Sequence, residues 1–290
     1  MSARNAASAF GLLVLGGLAL AVGCAGGTGS RRFSFDARIA GTGLATSVAH
    51  SFTNEKGWVI SLSRADVTLG PVYLNVIPPL TDSSARLFGW FVRSAWAHGE
   101  GHLDAGRMVG QVLSQVSFDA LSADLVSFPE RGTITQEEVR TAEVWFYPEP
   151  GVPAETTKID TVALDVAGTA TRADESVRFR GKLVLNDDWI ADQTDGERGN
   201  QSIIGIRQVR GVPASFFPVE GGQLQIRFDI TRLFRGADFA NLKGNPTDAD
   251  GTKALVQKQT STVNRDQVMT NLYEGLRETG ATYSVRWLGP

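Results

Sequence analysis

Two of the three histidines in this chain lie four residues apart, in Ala97-His98-Gly99-Glu100-Gly101-His102-Leu103-Asp104. In extended backbone, His98, Glu100 and His102 share one face; in a helix, His98 and His102 are still neighbours. Gly99 and Gly101 disfavour the helix. Imidazole with carboxylate suits Zn, Cu, Ni or Fe, and His50 or Asp104 would complete the set. The spacing is not the His-Glu-x-x-His of zinc proteases, because Glu100 is two residues after His98. The other reading of the same residues is a soluble polar loop, with a pH-sensitive or ligand-contact role as a third. The expectation is at most one bound transition metal, Zn or Cu.

A second cluster is acidic. Asn186-Asp187-Asp188 and Asp192 to Glu197 lie between strand-like segments, and Asn245-Pro-Thr-Asp248-Ala-Asp250-Gly251 echoes a calcium loop. With Gly251 at the loop glycine, Asp248 and Asp250 take ligand positions three and five. Position one is then Pro246 and position twelve Gln257, so a turn held by aspartate side chains competes with calcium. No Gly-x-Ser-x-Gly elbow, phosphate loop or dinucleotide fingerprint occurs. The six tryptophans, Trp58, Trp90, Trp96, Trp145, Trp189 and Trp287, suit either a sugar platform or core packing. A carbohydrate-active enzyme therefore stands third, behind a non-catalytic binding or structural module and a metal-binding protein.

The single cysteine, Cys24, ends Leu20-Ala21-Val22-Gly23-Cys24. Before it come Arg4 and an apolar run from Phe10 to Val22, shorter than the roughly 20 residues a spanning helix needs. A basic start, a short apolar stretch and small residues at the cut describe a secretory signal peptide. With cysteine directly after them, the segment resembles a bacterial lipoprotein signal. That resemblance implies cleavage before Cys24, acylation of its thiol, and the domain order 1–23 signal peptide, 24–31 flexible tether, 32–290 extracytoplasmic domain. Ala21 stands where such signals more often carry Leu. Ala25 stands where Asp marks inner-membrane retention, which favours the outer membrane, with the domain in the periplasm or on the surface. Stable anchoring needs more than one acyl chain, at about 0.8 kcal/mol per buried methylene.

Composition narrows the partners. The net charge is −3, one unit more negative without Arg4, and the charges are interspersed, so neither nucleic acid nor a polybasic membrane patch is indicated. Without a second cysteine there is no disulfide; stability must come from burial, for which 42 % apolar residues are ample. The partners expected are the membrane, through Cys24, and an envelope protein or small ligand.

The elements that position these residues read mostly as strands. Arg32 to Ala40 alternates strictly, with Phe33, Phe35, Ala37 and Ile39 on one face. Trp58 to Leu69 alternates with a polar interruption. Val72 to Ile77, Glu138 to Tyr147, Thr156 to Thr171, Ser176 to Leu185, Gln201 to Val209, Gln223 to Ile230 and Tyr283 to Trp287 follow, with a hairpin at Arg172 to Glu175. Residues 81–96 and 109–126 are ambiguous. Val268, Leu272 and Leu276 predict a helix over Asn264 to Glu278, capped by Asn264 and stopped near Gly280. The fold expected is mainly β, an antiparallel β-sandwich-like domain with a few short helices.

The segments Gly57-Trp58-Val59-Ile60-Ser61-Leu62 with Ala65, Gly70-Pro71-Val72-Tyr73, Ala97 to His102, Leu276-Arg277 and Tyr283 to Trp287 resemble a group of uncharacterised lipoproteins from Gram-negative bacteria, of the kind common in myxobacteria. That resemblance implies an envelope location and no particular activity. A more distant similarity to periplasmic copper-binding β-proteins rests on a histidine-bearing β-domain alone.

Overall fold

The strict alternation after Arg32 produces a strand that is hydrogen-bonded along both of its edges. The computed structural model describes residues 31–43, 50–76, 107–147, 161–186, 189, 206–257 and 266–290. Its strands are β1 Arg32–Gly41, β2 His50–Thr53, β3 Val59–Leu69, β4 Val72–Asn75, β5 Met108–Val112, β6 Val116–Asp119, β7 Val126–Ser127 and β8 Gly132–Thr135. They continue as β9 Val139–Trp145, β10 Thr161–Arg172, β11 Glu175–Leu185, β12 Gln208–Phe216, β13 Gln223–Phe228, β14 Lys253–Ala254 and β15 Tyr283–Leu288. Residues Arg32–Pro290 cluster as one unit.

The chain is mainly β with few helices, but the expected sandwich gives way to a barrel. One edge of β1 pairs antiparallel with β8 at Arg32 to Phe35, and the other pairs parallel with β13 at Asp36 to Gly41. The order β13-β15-β12-β9-β4-β5-β8-β1 therefore returns to β13 and closes an eight-stranded barrel. Closure removes the open edges that a sandwich would have had to protect. The strand set is not purely antiparallel either: β1–β13, β12–β15 and β11–β14 run parallel. Phe35, Ile39, Val72, Leu74, Val144, Ile226 and Phe228 fill the apolar core.

A second sheet has the order β14-β11-β10-β3-β2, with β6 also on β3. The chain passes from β3 into the barrel at Gly70, whose φ is 125° and where a Cβ would lie 2.4 Å from the Ser114 carbonyl oxygen. Only glycine fits that crossing. The hairpin β10–β11 is tighter than expected. Arg172 pairs with Glu175, and Ala173, at φ 50°, turns the chain in two residues.

Two elements differ from the sequence reading in instructive ways. Strand β12 runs on through Gly211 and Pro213, past Val209, where the expected strand ended. The pairing with β9 shifts register between Val209 and Val212 and again between Pro213 and Phe216, and such bulges accommodate both a glycine at φ 75° and a proline. The C-terminal helix is Gln267–Arg277, and its cap is Asp266, not Asn264. Val268, Leu272 and Leu276 are buried as their spacing predicted, beside the 3-10 helix Ile230–Phe234. Among the described residues, no helix is long and apolar enough to cross a membrane.

Candidate functional site

The polar interruption in β3 builds a surface site on the second sheet. Ile60 and Leu62 are buried on one phase of the strand, and Ala65, Val67 and Leu69 on the other. The change of phase is a β-bulge: Leu62 faces Gly168, Arg64 faces Ala167, and Ser63 is the extra residue. The bulge keeps both halves of β3 packed inward and turns Ser63 and Arg64 out to solvent.

Next to it, β11 alternates just as simply. Phe179 and Leu183 point to the core, so Arg178, Arg180 and Lys182 share the outer face. Between them on β10 lie Asp165 and the small Ala167. Register aligns two rows across the three strands: Arg64–Ala167–Arg180 and Asp66–Asp165–Lys182. Asp165 lies 3.5 Å from Arg64 Nη1 and 3.7 Å from Lys182 Nζ. The wall is Ala254–Leu255, held where Leu255 N–H donates to the Arg180 carbonyl at 2.8 Å. Gly181 permits this approach, since a Cβ there would lie 2.5 Å from Leu255 Cβ. The result is an open groove of about 560 Å³ with an alanine floor flanked by two guanidinium groups. Two strand spacings separate those arginines, about 10 Å at the backbone. Permanently charged, forked donors on both sides of a small residue suit an anionic group, carboxylate or phosphate.

The acidic loop serves this groove. Asp248 Oδ2 lies 2.5 Å from Arg180 Nη2, and Arg178 donates to the Asp250 carbonyl. The Asp250 carboxylate accepts from Thr252 N at 3.1 Å and Thr252 Oγ1 at 3.0 Å; those bonds hold its pKa below the usual carboxylate range. Gln257, the twelfth residue of the calcium pattern, accepts from Val184 N at 2.8 Å. Asp248 and Asp250 thus face arginine and threonine. No group of three or more His, Cys, Asp or Glu poised for a metal occurs among the described residues.

The other sequence-derived candidates are placed as follows. His50 opens β2, with its backbone opposite Leu62. Cys24, His98, Glu100, His102 and Asp104 lie outside the described residues, as do Trp90 and Trp96. Trp58, Trp145 and Trp189 are buried and present no exposed ring face for a sugar.

A charged cluster that the sequence reading missed sits on β9. Ala142, Val144 and Phe146 point into the core, and Thr141, Glu143 and Trp145 point the other way. Glu143 is 3 % exposed. It accepts from Trp145 Nε1 and Gln208 Nε2, with Arg210 Nε at 3.9 Å. Tyr73 faces it across the strand pair, and burial, with Tyr147 and Glu143 nearby, raises the Tyr73 pKa. The signal available in the sequence was a lone glutamate inside the apolar run Ala142 to Phe146.

Comparisons with protein-family models, curated proteins and solved structures returned no match.

Proposed function

We propose that this chain is a lipid-anchored envelope protein of the outer membrane whose β domain binds an anionic ligand or partner and does no chemistry on it. The observation that carries the anchor is Cys24, directly after small residues at the end of a short apolar run, with β1 beginning at Arg32. The tether Ala25 to Arg31 is rich in glycine, which suits a flexible linker between lipid and domain. Support for ligand binding comes from the groove, whose arginines flank the Ala167 floor. Replacing Cys24 with Ala is expected to abolish acyl labelling; labelling that persists in C24A contradicts the anchor. Phosphate titration tests the groove. Binding is expected to weaken with salt and with Arg180→Ala, and salt-independent binding unchanged by R180A would exclude it.

The spacing of His98, Glu100 and His102 supports a second reading, an envelope metal-binding protein taking Zn or Cu, with His50 as a further ligand. About one equivalent of metal per purified chain, lost in His98→Ala, would favour it. A chain that stays metal-free on titration would remove it.

A further inference from the structure

Strand directions place four exposed apolar residues at one end of the barrel, the end from which the tether leaves. β1 starts there at Arg32, opposite Thr135 of β8. Following the ring, β8 ends there and β5 begins there with Met108 opposite Asn75. β9 starts at that end with Val139, opposite Phe216 of β12. β15 ends there with Leu288, opposite Gln223 at the start of β13. Met108, Phe217, Val219 and Leu288, each more than a third exposed, therefore belong to a single rim. Phe217 and Val219 are 55 % and 45 % exposed.

The most prominent part of the rim is the connection Phe217-Pro218-Val219-Glu220-Gly221-Gly222, which is held in shape. Phe216 stacks on Trp287 with ring centroids 5.8 Å apart. Gly222 N–H donates to the Val219 carbonyl at 3.1 Å, with Gly221 at φ 85°. Scattered exposed apolar residues are ordinary, but a fixed apolar tip beside the tether exit is a different arrangement. Of the acids at this end, Glu137 pairs with Arg107 and Glu138 with Arg140, and Glu220 lies within the tip itself, also with a partner. Arg31 and Arg32 add positive charge where the chain leaves for the tether.

We infer that this rim, led by Phe217 and Val219, rests in the interface of the bilayer that carries Cys24, so that the barrel stands end-on at the membrane. The inference rests on the anchoring proposal above. In any conformation, the chain from Cys24 to Arg31 reaches at most about 25 Å. That keeps the Arg32 end within about that distance of an acylated Cys24. At such proximity a contact too weak to bind free protein is still populated, because association has become intramolecular. Aromatic and branched apolar side chains with flanking cations are the residues that enter this interface.

The test uses the acylated mature chain, in which Cys24 is blocked, reconstituted in vesicles of phosphatidylethanolamine and phosphatidylglycerol. A polarity-sensitive fluorophore is attached at Phe217→Cys, at Val219→Cys, and at Leu113→Cys just beyond β5 at the opposite end. The expected result is a blue shift and quenching by lipid-borne quencher at 217 and 219, with neither at 113. Acylated protein that floats with the vesicles while 217 and 219 report water overturns the end-on contact alone. Absence of acyl mass on Cys24 overturns the anchor and the contact together. Two separate labelling sites keep the result independent of damage from either substitution.

Discussion

Glu143 and Asp165 are both carboxylates in mid-strand, on faces turned away from the apolar core, yet they carry opposite physical burdens. Glu143 is 3 % exposed and is held by an indole, an amide and, at 3.9 Å, a guanidinium. The Asp165 side chain is 22 % exposed and shares two solvated cations at 3.5 and 3.7 Å. A buried carboxylate and its donors stand or fall together, because each group left unpaired keeps its desolvation cost. An open ion pair exchanges one hydrated arrangement for another and is worth about 0–1 kcal/mol. The barrel side therefore spends its charge on structure, and the second sheet holds its charge in solvated pairs, which an anionic ligand can exchange at little cost.

The largest effect expected from this contrast is at Glu143. Glu143→Ala is expected to lower unfolding stability by about 3 kcal/mol, read as a lower urea midpoint with unchanged slope. Glu143→Gln, which keeps one acceptor, is expected to lose less. Next comes Asp266, which is buried and accepts from Met269 N at 2.6 Å, Val256 N at 2.5 Å and Asn245 Nδ2 at 2.9 Å. Burial raises its pKa in spite of those bonds. Asp266→Ala is expected to cost about 2 kcal/mol, from a lost helix cap and newly unpaired donors, seen as a lower melting temperature.

Asp238 is intermediate. Burial pushes its pKa up, but the Trp58 indole N–H at 2.9 Å, the Ala240 N–H and Arg172 outweigh it, so the net shift is downward from 3.8. A depressed folded pKa gives stability that is present above 3.8 and is lost as pH falls through the folded value. Asp238→Asn is accordingly expected to flatten the acid limb of the stability–pH curve below that point; an unchanged limb would show that the pairing has no thermodynamic weight. The smallest stability effect is at Asp165. Asp165→Ala is expected to change stability by less than about 0.5 kcal/mol while tightening phosphate binding several-fold, since the groove loses the carboxylate between its cations. A large destabilisation there would erase the contrast with Glu143.

The sequence made local order legible and long-range pairing illegible. Alternation in β1, β10, β11 and β13 and four-residue spacing in the C-terminal helix are local signals, and they located those elements to within a few residues. The break in β3 was visible as Ser63-Arg64, but only the register with β10 shows that it is a bulge that aims Arg64 outward. Barrel closure depends on β1 meeting β13 in parallel, far along the chain, and no property of either strand alone specifies that partner. Gly211 and Pro213 lie past Val209, where the expected strand ended; their usual penalty is local, and here it is absorbed by bulges in β12. The groove escaped detection for the same reason as the barrel: its residues run from Ser63 to Leu255 and share no motif. The acidic loop was seen, but its counter-charges, Arg178 and Arg180, lie on another strand.

The proposed attachment of this β domain to a membrane through Cys24 is tested by the intact mass of the chain purified from the cells that produce it. The expected mass shows loss of residues 1–23 and an added diacylglyceryl group, with a further acyl chain on the new amino terminus at Cys24. An unmodified Cys24 thiol, on a chain that keeps residues 1–23, would contradict it.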